Sequence, residues 1–158
     1  MKSSIETLYD QLTSKVGKNE IGAWHVISED NVRTFGEITH NQQFIHTDAR
    51  RAKKESPYGV LIAHAYLTLS LIPALTTSMN PLSTLPLVSL NYGFNRIRFP
   101  EATRMGARVR AHRTILSVEK KDKGVLLTQL VTVEQKGIRR PSVSAESLLF
   151  LVPSVARS

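Results

Sequence analysis

Residues 60–75 read Val-Leu-Ile-Ala-His-Ala-Tyr-Leu-Thr-Leu-Ser-Leu-Ile-Pro-Ala-Leu. Leu61, Ile62, Ala63, Ala65, Leu67, Leu69, Leu71, Ile72, Ala74 and Leu75 point to every side of a helix, so a helix here must be enclosed rather than laid on a surface. The stretch also holds His64, Thr68, Ser70 and Pro73, and it falls short of the roughly 20 apolar residues that a membrane helix needs. A buried helix needs a wrapper, which the rest of the chain must supply.

The second half has the right pattern. Residues 87–92, 95–99, 107–118, 125–135 and 142–152 are rich in Val, Leu, Ile and Thr, and several alternate in polarity as half-buried strands do. Lys121-Asp122-Lys123-Gly124 and Lys136-Gly137 suit hairpin connections, which makes the last three strands an antiparallel meander. One buried helix gripped by a curved antiparallel sheet is an α+β arrangement, the hot-dog architecture.

Ahead of the buried stretch, residues 3–12 carry Ile5, Leu8 and Leu12 at helical spacing, released at Gly17, and residues 23–27 are extended. Ser28 suits an N-cap, Glu29 and Asp30 a first turn, and Val32, Phe35 and Ile38 form an apolar stripe. That helix should end near His40 and Asn41, with Asn41 in the left-handed position. Asp48 is suited to cap a short basic helix through Lys54, stopped by Ser56-Pro57-Tyr58-Gly59.

With 158 residues the chain has room for one full core, so a single domain over residues 1–158 is expected. The formal charge of +8 favours an anionic partner, but the Lys and Arg residues are scattered along the chain and read as solvated surface. Nucleic acid and membrane are therefore not expected as partners. There is no cysteine, hence no disulfide and no thiolate nucleophile. Residues 1–10 lack the apolar segment of a secretory signal, so the expected location is cytoplasmic. Dinucleotide, Walker, serine-hydrolase and zinc-protease motifs are missing, and histidines 25, 40, 46, 64 and 112 lack a ligand spacing, so no metal is expected.

The most informative run is Phe35-Gly36-Glu37-Ile38-Thr39-His40-Asn41-Gln42-Gln43-Phe44-Ile45-His46-Thr47-Asp48, followed by Ile62-Ala63-His64-Ala65. It resembles the MaoC-like dehydratase family, the (R)-specific enoyl-CoA hydratases, and especially their nodulation-protein-N-like branch. Phe35, Ile38, Thr39, Ile45, His46 and Ala52 fit the family pattern, while Gln43 and Phe44 match the branch. Asn91-Tyr92-Gly93, the segment 96–100 with Arg98 and Phe99, and residues 67–73 extend the likeness over residues 24–151. His40 stands where the family has glycine, and Asn41 where it has aspartate.

The resemblance implies a hot-dog homodimer without cofactor. It acts on an acyl-CoA or acyl-carrier thioester and adds water reversibly to a trans-2-enoyl thioester to give the (R)-3-hydroxyacyl product. Asn41 and His46 then fall at the catalytic positions, and the main-chain N–H of Ala65 faces the thioester oxygen. His64 and Tyr92 are candidate substrate contacts. A buried helix-start role is the other reading of His64, and a structural or dimer-edge role that of Tyr92, Arg96 and Arg98. An amide orients water but does not take its proton, so Asn41 leaves the acid/base pair incomplete. Either His46 works alone as base and then acid, or His40 is a second titratable group. Otherwise the chain is a non-catalytic thioester binder, or an inactivated form of the hydratase. Asp48 is close in sequence but is better suited to its capping role. Thioester hydrolysis is disfavoured, because the strands offer no clear carboxylate nucleophile or base.

Overall fold

Ser3 and Ser28 start the first two helices in the same way. In the computed structural model, which describes residues 3–154, each serine hydroxyl accepts from the backbone N–H three residues on. The side chain at that position, Glu6 or Asn31, accepts in return from the serine's own N–H. Two first-turn donors are thus satisfied reciprocally. Helix α1 covers Ser4–Thr13 and α2 covers Glu29–Thr39. Val32 of α2 is buried, but Ile38 is 74% exposed, so the expected stripe stops short of it.

α2 ends at His40, whose φ of 54° makes it the left-handed residue in place of Asn41. A one-turn helix, α3 (Phe44–Thr47), and the basic α4 (Ala49–Glu55) follow. The Asp48 carboxylate caps α4 by accepting from the N–H of Arg51 at 2.9 Å. The expected long helix over residues 61–75 is in fact three pieces. Residues 61–64 precede any helix, and α5 (Ala65–Ser70) and α6 (Ile72–Thr76) meet at Leu71. The break at Leu71 follows from Pro73, in the first turn of α6, which has no N–H for the carbonyl of Leu69 and whose ring crowds that carbonyl. Nor is the stretch enclosed on all sides: Leu67, Thr68, Ile72 and Leu75 are buried, while Ala65, Tyr66, Ser70, Pro73 and Ala74 are exposed.

Six strands form one antiparallel sheet. β3 (Leu87–Arg98), β4 (Arg108–Lys121), β5 (Gly124–Gln135) and β6 (Val143–Pro153) are its long members, and the order is β1-β4-β5-β6-β3. The expected meander β4–β5–β6 is present, with Lys121 paired to Gly124 across its first turn. Two short strands, β1 (Asn19–Ile21) and β2 (His25–Val26), share the other side of β4. β3 is one strand where two were expected, because two register shifts against β6 carry it through residues 91–96.

The odd-numbered side chains of β5 and β6, and those of β4 as far as Ile115, where a register shift intervenes, face inward and meet two apolar clusters. At one end Val109, Ala111, Val131, Val133, Val143 and Ala145 pack on Ile27, Val32, Ala63, Leu67, Ile72 and Leu75. At the other, Ile115, Val125, Leu127 and Leu151 receive Leu8 and Leu12 of α1. Between them runs a polar layer of Arg113, Gln129 and Ser147, all buried. The Gln129 amide donates to Ser147 at 3.1 Å. Arg113, expected at the solvated surface, is only 5% exposed and donates to Glu20 of β1 and to the carbonyl of Asn80. A buried guanidinium is tolerated because both partners are in place.

Gly22, between the two short strands, donates its N–H to Ala111 at 2.9 Å and lies against the end of α6. A Cβ there would stand 2.2 Å from the carbonyl oxygen of Leu75, a backbone atom that cannot swing away. Gly22→Ala is therefore expected to destabilise the fold by about 1–3 kcal/mol, read as a lowered midpoint in urea unfolding.

Candidate active site

The segment 61–64 is held from two sides. The N–H of Ile62 donates to Ile45 of α3 at 3.0 Å, the N–H of Ala63 to Thr103 at 2.7 Å, and the N–H of Met105 to Leu61 at 3.0 Å. Ile62 also forms an isolated bridge with Arg104. α3, the start of α5 and the loop before β4 thereby meet around a cavity of about 540 Å³. Phe35, Thr39, Asn41, Ile45, His46, Tyr58, His64, Ala65, Tyr66 and Phe99 are among the residues that line it. Tyr66 and Phe99 touch edge to face, 5.8 Å between centroids.

His46 is 8% exposed. Its Nδ1 lies 2.8 Å from the carbonyl oxygen of Ile62. A carbonyl only accepts, so Nδ1 carries the hydrogen and the neutral ring keeps its lone pair on Nε2. Burial lowers the His46 pKa below the ordinary 6.5; the hydrogen bond to Ile62 opposes this in part, and the neighbouring His64 adds to the lowering. His46 is thus a neutral imidazole with a basic nitrogen at neutral pH.

His64 stacks on His46, 3.7 Å between centroids at 28°. Its Nε2 donates to the backbone carbonyl of Asn41 at 3.0 Å, which leaves Nδ1 as a buried acceptor without a partner among the described residues. The Ser142 hydroxyl, also lining the cavity, is another such atom. Buried polar atoms are normally satisfied, so these two depart from the rule. Gly36 permits this packing: a Cβ on it would lie 3.1 Å from the Asn41 carbonyl and 3.3 Å from the His64 ring.

Ala65 is the first residue of α5, so its N–H has no acceptor within the helix. Of the five residues singled out from the sequence, the structure brings Asn41, His46, His64 and Ala65 to this cavity. Tyr92 is elsewhere: it stands on β3, 68% exposed, with its ring 6.2 Å from that of Phe150. The side chain of His40 is exposed and does not line the cavity, so the structure does not make it a second titratable group of the site. Asp48 is occupied in capping. Sequence reasoning missed Ser142 and Glu101, which face the cavity from segments flanking β6 and β3. Among the described residues no group of three or more His, Asp and Glu is arranged to hold a metal ion, and no helix is long and apolar enough to cross a membrane.

Residues 12–136 match the model of the MaoC like domain. The chain belongs to the MaoC-like dehydratase family. It is 36% identical over 150 residues to 3-hydroxyacyl-thioester dehydratase Z of Mycobacterium tuberculosis, covering 94% of this chain and 96% of that protein. Nodulation protein N of Rhizobium leguminosarum bv. viciae is 34% identical over 149 residues, 94% of this chain and 91% of the relative. Among solved structures, the MaoC-like dehydratase from Rhodospirillum rubrum superposes with a TM-score of 0.72 at 19% identity, covering 89% of this chain and 94% of that one. An (R)-hydratase from A. caviae gives 0.67 at 18% identity, with coverage of 85% and 95%. The fold is thus the hot-dog fold of this family, and membership places the chain among proteins of the hydratase/dehydratase kind.

Two outcomes are expected. The His46 ring, followed by NMR, titrates below pH 6.5; because the unfolded chain takes up that proton first, folding stability falls as pH drops through 6.5 and levels off once the folded ring is also charged. His40→Gly removes a left-handed non-glycine residue and raises stability by about 1 kcal/mol in thermal unfolding.

Proposed function

We propose that this protein is an (R)-specific hydratase of acyl thioesters, adding water reversibly to a trans-2-enoyl-CoA to give the (R)-3-hydroxyacyl-CoA. The observation that carries the reading is the His46 ring, fixed through Nδ1 so that its basic nitrogen is Nε2, at a cavity that Asn41 and Ala65 also line. In this reading Nε2 accepts one O–H of the attacking water, and the Asn41 amide orients the same water. The thioester oxygen meets the N–H of Ala65, which polarises the carbonyl and stabilises the charge that develops on it.

The name of the mycobacterial relative, a 3-hydroxyacyl-thioester dehydratase, supports the substrate class, since dehydration and hydration are one equilibrium. The positive charge of the chain suits the phosphates of coenzyme A. The reading includes a cytoplasmic homodimer. β3 has an unpaired edge and exposes Val88, Leu90, Tyr92 and Phe94, a surface that a second copy would cover. Asn41 favours a second reading, in which the chain binds acyl thioesters without turning them over.

Hydration of trans-2-butenoyl-CoA, followed as loss of the enoyl chromophore, separates the two. His46→Ala is expected to lower kcat by about 10²- to 10⁴-fold, and Asn41→Asp to raise it. Thioester binding by calorimetry with no hydration by the natural chain or by Asn41→Asp would establish the binder instead.

A further inference from the structure

Five carboxylates of the described chain are half-buried: Glu20, Asp48, Glu101, Glu134 and Glu146. Glu20 pairs with Arg113, Asp48 accepts the N–H of Arg51, Glu134 takes Arg110 and His112, and Glu146 accepts from Asn95. Glu101 differs. Among the described residues it has no hydrogen bond or ion pair. It also lines the cavity of His46, where among the described residues it is the only carboxylate and no Lys or Arg accompanies it. Withdrawing a carboxylate from water with no compensating partner costs free energy, so the fold alone gives no reason for one here.

Its position is nonetheless well determined. The loop that carries it is fastened just beyond Glu101. Thr103 accepts the N–H of Ala63 through its carbonyl and the hydroxyl of Thr68 through its own hydroxyl, at 2.7 and 3.1 Å. The N–H of Arg104 donates to the Gln135 side chain at 2.7 Å. Glu101 is thus tied to the same segment 61–64 that orients His46.

We propose that Glu101 is a catalytic residue which supplies the carboxylate that position 41 lacks. The inference rests on the hydratase reading. As the water oxygen bonds to C3, one O–H bond breaks and its proton passes to the Glu101 carboxylate. The C2–C3 π pair shifts toward the thioester, whose oxygen meets the Ala65 N–H. Glu101 then releases the proton to C2 and the carbonyl re-forms. Glu101 ends as the carboxylate it began as, and the substrate has gained one water. His46 holds the other O–H through Nε2 throughout.

The test compares the natural chain, Glu101→Gln, Asn41→Asp and their combination on trans-2-butenoyl-CoA. The kcat of Glu101→Gln is expected to fall by about 10²-fold or more with KM little changed, and Asn41→Asp to restore it in the double variant. Glu101→Ala should regain activity on addition of formate, a rescue that only a folded protein with an empty carboxylate site displays. The other titratable groups facing the cavity are His46, His64, Tyr58 and Tyr66. Loss of the carboxylate should therefore change the pH–rate profile without removing the His46 limb. If Glu101→Gln hydrates within about twofold of the natural chain, Glu101 is not catalytic, and the hydratase reading stands on His46. If neither the natural chain nor Asn41→Asp hydrates, the hydratase reading fails and the role of Glu101 falls with it. Release of free coenzyme A in place of hydration would likewise overturn the proposal, by assigning Glu101 to thioester hydrolysis.

Discussion

The carbonyl of Ile62 is the point on which the site depends. It takes the Nδ1 hydrogen of His46, while the N–H of the same residue donates to Ile45, one position before that histidine. One residue therefore fixes the backbone of α3 and the tautomer of its histidine together. Ile62 is itself immobilised by the bridge to Arg104 and by the bonds that Leu61 and Ala63 make to Met105 and Thr103. Free rotation of the ring would present either nitrogen to the cavity; here only one is offered, and burial keeps it unprotonated.

The fold was largely legible because its signals are periodic. β5, the first half of β6 and β4 as far as Ile115 alternate, and their inward residues are the ones that the pattern selects. Caps at Ser28 and Asp48 follow from short-range chemistry that tertiary packing left undisturbed. Pro73 was visible but outweighed by the apolar residues around it, which is why two short helices were read as one. The one-sided burial of that stretch was hidden as well, since apolar content says that a residue can be covered and not what covers it. β1 has three residues and is recognisable only through its partner β4.

The site was legible in a different way. His46 and Asn41 stood out through a resemblance, since nothing local announces that a four-residue helix brings a histidine to a cavity. His40 shows how a family glycine can be replaced when only its backbone conformation is needed: the ring goes to solvent and the left-handed turn is kept. Asn41 is thereby free to contribute a carbonyl to His64 and a side chain to the cavity. Tyr92 drew notice as part of a recognisable run, and β3 carries it to an exposed edge. Glu101 carried no signal at all, because a single carboxylate in a loop gains meaning only from the wall it joins.

The strand order has a consequence for how the molecule comes into being. β4, β5 and β6 are consecutive and pair through short connections, so their contacts are local and cheap to close. β3 precedes all three in the chain yet pairs with β6, Arg98 lying opposite Ser144 and Leu87 opposite Pro153. Its docking closes a longer loop than any within the meander and so costs more chain entropy than those pairings do. The loop bearing Glu101 and Thr103 joins β3 to β4, so the wall it forms is complete only when that edge has docked. The meander holds the most local pairings of the sheet and is the expected folding nucleus, and the cavity of His46 forms after it.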